Sequence, residues 1–166
     1  NDVNALAVAE HWFGAGRGVA DFLALSIGRG VGLGMILNGR LYRGSGGGAG
    51  EFGHTVVKLD GPLCACGKRG CLEALISDGA LMQQAAAALG RPVSIEEMVQ
   101  LGLRGDAQMA AIFREAAETL GVAVANLVNV LNPALIIVGG EGMRAGSLIL
   151  DRFRAALREH SFGSLA

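Results

Sequence analysis

The chain has 166 residues, of which 51% are hydrophobic and 27 are glycine, and its net charge at pH 7 is −1. This length suits one domain with its own core, and the apolar content is too high for a disordered chain. The near-neutral charge gives no basic surface for nucleic acid, and no apolar run reaches the roughly 18 residues of a membrane-spanning helix. The composition therefore indicates a globular domain without a membrane segment.

The first part of the chain predicts a helix followed by a strand hairpin. Apolar residues recur at helical spacing over 2–13, and apolar runs over 22–27 and 31–37 are typical of strands. Asn38-Gly39 separates the second run from a short returning strand over 40–42. This dipeptide indicates a type I′ turn, because that turn needs positive φ at both central residues.

The rest of the chain predicts helices and one buried strand. We expect Asp78 to cap one helix, and Ser94 with Glu97 to form a capping box at the start of the next. The apolar run over 135–138 predicts a strand that is buried on both faces. In chain order, the predicted helices cover 72–76, 77–89, a segment starting at 94, 105–131 and 145–160. This order of elements predicts an α/β domain with a mixed sheet.

All three cysteines lie in one short segment with the spacing of a metal site. Cys64, Cys66 and Cys71 form a C-x-C-x4-C pattern, and His54 precedes the first of them by ten residues. Three thiolates and one imidazole are the ligand set of a closed structural Zn²⁺ site; the alternative is three buried free thiols beside a surface histidine. We expect zinc because cysteine is otherwise absent. Since no cysteine is left to form a disulfide, we also expect a cytoplasmic protein.

Two linked motifs around the cysteines are specific enough to indicate a family. Residues 50–54 read G-E-x-G-H, and residues 64–73 read C-x-C-G-x-x-G-C-L-E. In this order and separation they resemble the ROK family of repressors and sugar kinases, and the resemblance extends from Asn1-Asp2 to Gly139-Gly140. It implies the actin-like ATPase fold and the C-terminal half of a ROK protein. Because Asn1-Asp2 is an internal motif in that family, we expect an upstream half outside this sequence.

The resemblance implies a monosaccharide site next to the zinc ligands. By this resemblance Asn1 and Asp2 bind the sugar, and Asp2 is also the catalytic base if the protein is a kinase. Glu51, His54 and Glu73 surround the same sugar, and His54 then uses one ring nitrogen for Zn²⁺ and the other for a sugar hydroxyl. Other roles are open on the residues alone: Asp2 as a helix cap, Glu51 as a solvated charge, and Glu73 as a charge at a helix N-terminus.

Two glycine segments correspond to the nucleotide site of the family. Gly28 and Gly30 lie between two predicted strands, where exposed backbone amides can bind phosphate. Gly139-Gly140 corresponds to the adenosine site, although a strand-to-helix turn also needs glycine. ROK kinases typically have threonine between the first two glycines, where this chain has Arg29. ATP and Mg²⁺ are therefore expected only if the protein is a kinase.

The departures from the kinase pattern favour one of two functions. Arg29, Glu141 and Arg144 resemble the regulator branch of the family, while the residues implied for the sugar are all present. The leading hypothesis is the sugar-sensing domain of a ROK transcriptional regulator, which contacts DNA only through a domain outside this chain. The alternative is an ATP-dependent hexose or amino-sugar kinase, and a third reading is a zinc-stabilised domain without a ligand. The resemblance also implies a homodimer or higher oligomer.

Overall fold

The structure, a computed structural model, describes residues 2–163 and places helices on both faces of a four-stranded sheet. In chain order the elements are α1 (Asp2–Phe13), β1 (Phe22–Ile27), β2 (Val31–Leu37), β3 (Arg40–Leu41), α2 (Glu73–Ile76), α3 (Asp78–Leu89), α4 (Ile95–Leu103), α5 (Ala107–Leu131), β4 (Leu135–Gly139) and α6 (Gly146–His160). Two short 3₁₀ turns cover Phe52–His54 and Glu141–Ala145. Within the described residues, no helix combines the length and hydropathy that a bilayer span requires.

The sheet has the strand order β3-β2-β1-β4. The central strand β1 pairs antiparallel with β2 and parallel with β4, which confirms the predicted mixed sheet. Between β2 and β3, Asn38 and Gly39 have φ values of 53° and 72°. Positive φ at both residues is what the predicted type I′ turn requires. The hairpin is therefore closed by local turn chemistry.

Alternate residues of β1 face two different apolar layers. Phe22 and Ala24 pack with Ala7 of α1 in a small cluster on one face. Leu23 and Leu25 point to the opposite face and join the main core, which is formed with the helices after residue 72. This alternation follows from the two-residue period of a strand. The loop after β1 follows the end of this central strand and lines the candidate site.

The helix starts follow the expected capping chemistry with one correction. Ser77, and not Asp78, is the N-cap of α3, because the Ser77 hydroxyl accepts a hydrogen bond from the Ala80 amide at 3.3 Å. Asp78 is instead the first residue of the helix, where it is buried and forms an ion pair with Arg144. Serine and aspartate both cap helices, so this adjacent pair offers two candidates. The ion pair with Arg144, which is distant in sequence, holds the Asp78 side chain away from the capping position.

Of the two hydrogen bonds expected in the capping box of α4, the structure confirms one. The Ser94 hydroxyl accepts a hydrogen bond from the Glu97 amide at 3.2 Å. The Glu97 carboxylate, however, binds the guanidinium of Arg91 at 2.5 Å instead of returning to Ser94. The serine therefore satisfies one of the free amides of the helix, and the glutamate stabilises the turn before it.

The last strand differs from its prediction in burial. All five residues of β4 are half-buried, although a continuous apolar run predicted burial on both faces. In the described part of the chain β4 pairs only with β1 and so forms an edge of the sheet. Apolar composition indicates that a strand contacts a core, but it carries no information on the position of the strand within the sheet.

Candidate functional site

The predicted metal ligands lie together beside the sheet. One potential ligand atom from each of His54, Cys64, Cys66 and Cys71 lies within 4.8 Å of the other three. The Cys66 and Cys71 sulfurs are 3.6 Å apart, and the Cys64 sulfur is 3.6 Å from His54 Nδ1. A tetrahedral ion with Zn–S bonds of about 2.3 Å separates two sulfurs by roughly 3.8 Å. The four side chains therefore fit one tetrahedral metal ion.

Backbone hydrogen bonds hold the cysteine loop in this arrangement. The Cys64 amide donates to the Lys68 carbonyl at 2.8 Å, and the Gly67 amide donates to the Cys64 carbonyl at 2.9 Å. The Lys68 ammonium donates to the His54 carbonyl at 2.7 Å, so this lysine ties the histidine segment to the cysteine loop. Sequence reasoning did not single out Lys68. The sequence feature that could have indicated this role is a basic residue between Cys66 and Cys71.

The cysteine loop is also paired with the strand-like segment before it. The Gly70 amide donates to the Pro62 carbonyl at 2.8 Å, and the Gly70 carbonyl accepts from the Val57 amide at 2.9 Å. A Cβ atom at Gly70 would overlap the Lys58 carbonyl oxygen, and Gly70 has a φ of +70°. Both observations require glycine there. The ligand geometry therefore depends on close backbone packing.

Two of the thiols differ in acidity before a metal binds. Burial raises the pKa of the Cys71 thiol to about 11. The pKa of exposed Cys66 is lowered, mainly by its hydrogen bond with the Lys68 backbone. A metal binds the thiolate form of cysteine, so binding must displace the proton of Cys71. The site therefore takes up metal more strongly at higher pH.

A cleft of about 520 Å³ lies beside this loop and brings together most of the predicted ligand-binding residues. Its lining includes Asp2, Gly28, Gly30, Glu51, Glu73 and Gly140. Among the described residues, Gly139 and His54 do not line the cleft, and His54 instead faces Cys64. Asn1 lies outside the described residues. The cleft therefore joins part of the predicted sugar set to part of the predicted nucleotide set.

Glu73 links the metal loop to the glycine loop across this cleft. Its Oε2 atom accepts a hydrogen bond from the Val31 amide at 3.0 Å. A Cβ atom at Gly30 would lie 2.9 Å from the same oxygen, so a small residue at position 30 lets the carboxylate approach. Glu73 is also two residues after Cys71 and is the first residue of α2. Its carboxylate position therefore depends on both loops.

The two glycine segments are neighbours in space. A Cβ atom at Gly28 would lie 3.2 Å from the Glu141 Cβ, and Gly140, at φ +94°, packs against the backbone of Ile27. The Gly28 carbonyl also accepts the Asp78 amide at 2.9 Å, which ties the glycine loop to the start of α3. Segments far apart in sequence thus form one wall of the cleft.

Opposite charges on the two glycine segments form an ion pair. Arg29 Nε lies 3.5 Å from Glu141 Oε2, and the two side chains are 89% and 57% exposed. Arg144, from the same turn as Glu141, points elsewhere and pairs with Asp78 and with Glu96 at 3.3 Å. Sequence reasoning noted these residues separately and missed their pairing. The available signal was that the two segments carry charges of opposite sign, Arg29 in one and Glu141 in the other, at positions that depart from the kinase pattern.

Comparison with known proteins places the chain among sugar-related proteins. The family model described as the ROK family matches residues 1–166. The chain is 35% identical to the xylose repressor of Caldicellulosiruptor bescii over 175 residues, covering 98% of this chain and 44% of the repressor. The chain therefore spans about half the length of the relatives it matches, in their C-terminal portion.

Solved structures from both branches of that family, a regulator and a kinase, superpose closely on this chain. A ROK family transcriptional regulator described as a homologue of E. coli MLC superposes with a TM-score of 0.89 at 32% identity, covering 99% of this chain and 44% of that one. A ROK family glucokinase from Streptomyces griseus, in complex with glucose and AMPPNP, superposes with a TM-score of 0.88 at 36% identity, covering 98% and 58%. These neighbours have the actin-like ATPase fold, so the expected fold class is confirmed.

Proposed function

The chain belongs to the ROK family, and on this premise we propose that it is the sugar-sensing domain of a ROK transcriptional regulator. In this proposal the cleft binds a monosaccharide through Asp2, Glu51 and Glu73, with Asn1 as a further contact; His54, which does not line the cleft, acts as a metal ligand. Carboxylates suit this role because each accepts hydrogen bonds from hydroxyl groups at fixed angles. DNA is contacted through a domain outside this chain, and the regulator acts as a homodimer or higher oligomer.

The observation that carries the regulator proposal is the Arg29–Glu141 ion pair. Gly28 and Gly30 form the loop that holds phosphate in the kinase reading, and Gly140 belongs to the segment that holds adenosine. In this chain a guanidinium and a carboxylate stand between those segments, 3.5 Å apart. A nucleotide phosphate at this place would meet the Glu141 charge. The carboxylates proposed for the sugar are unaffected by this pair.

We propose that Zn²⁺ is held by His54, Cys64, Cys66 and Cys71 as a structural ion. The ion supplies cross-links and no open coordination position, because four protein ligands complete a tetrahedron. Glu73 follows Cys71 by two residues, and Glu51 precedes His54 by three. The ligands therefore anchor both segments that carry the proposed sugar carboxylates. Folding of these segments is then coupled to metal binding.

Sugar binding regulates DNA affinity in this proposal only if the sugar prefers one conformation. A ligand shifts an equilibrium by the difference between its affinities for the two states. Glu73 offers a contact of this kind, because its carboxylate already holds the Val31 amide at 3.0 Å. A sugar hydroxyl that binds the same carboxylate changes the strength of the hydrogen bond that holds the glycine loop. The loop and the metal segment then respond to the ligand together.

The second candidate is an ATP-dependent sugar kinase, favoured by the likeness to the glucokinase solved with glucose and AMPPNP. In that reading Asp2 accepts the proton of the attacking sugar hydroxyl, and the Gly28–Gly30 loop positions a phosphate. Mg²⁺ accompanies the nucleotide. Asp2 and this loop line the same cleft, which is the arrangement that phosphoryl transfer needs.

One experiment on the natural full-length protein separates the two functions. The melting temperature is measured with a panel of hexoses, pentoses and amino sugars, and ADP release is then measured with Mg²⁺ and ATP for each sugar that stabilises the protein. Stabilisation without ADP release, together with sugar-dependent release of bound DNA, supports the regulator. Sugar-dependent ADP release overturns it in favour of the kinase. Absence of stabilisation by every sugar contradicts both.

A further inference from the structure

We propose that Glu141 makes the cleft selective for uncharged sugars by neutralising Arg29, so that phosphorylated ligands are rejected. This inference rests on the proposed function, because it assigns the charge class of the ligand that the cleft takes. It names Glu141 as a specificity-determining residue and Arg29 as the cation that it masks. The two side chains meet at 3.5 Å on the cleft wall.

Negatively charged side chains outnumber positively charged ones in the described lining of the cleft. Within the described residues the lining contains one guanidinium, from Arg29, and the carboxylates of Asp2, Glu51, Glu73 and Glu141. A sugar phosphate carries close to two negative charges at neutral pH. It would be repelled by four carboxylates and attracted by one cation. An uncharged sugar experiences no such repulsion and can donate hydroxyl hydrogen bonds to the same carboxylates.

Arg29 alone would be a good phosphate ligand. It follows Gly28 in a loop whose backbone can approach an anion, and its side chain is 89% exposed. A guanidinium binds phosphate through paired N–H groups. The Glu141 carboxylate lies 3.5 Å from Nε of this guanidinium, and so a phosphate must compete with Glu141 for Arg29.

The position of Glu141 is set by the backbone. Gly140 precedes it with a φ of +94°, and Glu141 begins the 3₁₀ turn Glu141–Ala145. The Glu141 Cβ would be 3.2 Å from a Cβ placed at Gly28. The backbones of the two segments are thus in contact, which holds the carboxylate beside Arg29 although both side chains are exposed.

The test compares Glu141→Gln with the unaltered natural full-length protein, using inorganic phosphate and AMPPNP as probes. Dissociation constants are measured by calorimetric titration at low ionic strength and about pH 8, where phosphate is mainly a dianion. Removing one negative charge a few ångströms from a dianion is expected to tighten binding by roughly tenfold. The gain should shrink as salt is added.

Two further variants identify the cause of the gain. Arg29→Gln combined with Glu141→Gln should lose the gain, because no cation is left to unmask. Glu96→Gln is the matched control: Glu96 also pairs with an arginine, Arg144, at 3.3 Å and is 67% exposed, but it does not line the cleft. It removes the same charge and should leave both dissociation constants unchanged.

The outcomes separate this inference from the proposed function. No gain in Glu141→Gln, an equal gain in Glu96→Gln, or a gain that survives loss of Arg29 overturns the selectivity inference, whatever the sugar panel shows. Tighter binding of glucose 6-phosphate than of glucose by the unaltered protein also overturns it, while sugar binding itself would stand. If no sugar stabilises the protein, the proposed function fails even where the phosphate gain is found.

Discussion

Replacing Gly70 by alanine should unfold the metal loop, because two structural requirements coincide there. Gly70 has a φ of +70°, and a Cβ atom at this position would overlap the Lys58 carbonyl oxygen. A left-handed conformation costs a non-glycine residue about 1–2 kcal/mol. The overlap must in addition move the backbone and break the hydrogen bonds that Gly70 makes with Pro62 and Val57. Each buried group left unpaired costs about 1–3 kcal/mol.

The expected loss for Gly70→Ala is therefore at least about 3 kcal/mol in the free energy of unfolding, with loss of bound metal. Gly67→Ala is the matched control in the same loop. Gly67 has a φ of +88°, but a Cβ atom there meets nothing within 4 Å, so the expected loss is only about 1–2 kcal/mol. Urea unfolding and metal analysis of both variants measure the difference. Equal losses, or full metal content in Gly70→Ala, would refute the close-packing explanation.

Three other predictions concern the metal and the cleft. Metal analysis after purification without chelator should find one zinc ion per chain. Lowering the pH from about 8 to about 6 should weaken zinc binding at least roughly 100-fold in chelator competition, because the pKa of Cys71 is about 11 and one proton must leave it throughout that range; a flat pH profile contradicts this. Glu73→Ala should lower stability by about 1–2 kcal/mol, because the Val31 amide loses its acceptor. Glu73→Gln should restore stability but not sugar affinity, and calorimetric titration that finds normal sugar binding in both variants excludes the proposed contact.

Local features of this sequence could be predicted because their chemistry is complete within a few residues. The turn at Asn38 and Gly39 needs only positive φ at two positions, and the cap at Ser94 needs only a hydroxyl three residues before an amide. The metal cluster was predictable for a related reason. Three ligands fall within eight residues, so loop closure already limits their separation, and few other chemistries use three cysteines and a histidine.

Features that depend on distant residues could not be derived in this way. Asp78 does not cap its helix because its side chain pairs with Arg144, which lies 66 residues later in the chain. The half-buried state of β4 depends on its place beside β1, which no property of its own apolar residues determines. The Arg29–Glu141 pair is of the same type, since it forms only after the β1–β2 loop and the turn after β4 meet. The motif resemblance supplied what the residues alone did not: which glycine segments share one cleft.

The Val31 amide is the point where the metal segment and the ligand wall are coupled. It begins β2, directly after the glycine loop that carries Arg29, and its hydrogen bond to Glu73 is 3.0 Å long. Glu73 is fixed in turn by the backbone of Cys71, whose neighbour Leu72 donates to the Thr55 carbonyl at 2.9 Å. Loss of metal should therefore weaken ligand binding although no metal ligand lines the cleft. We expect Glu73 to carry most of this coupling, because its carboxylate reaches across the cleft to the Val31 amide. Chelation should therefore reduce sugar affinity strongly in the unaltered protein and much less in Glu73→Ala, where this connection is already broken. Equal effects of chelation in the two proteins would mean that the metal acts on the cleft by another route.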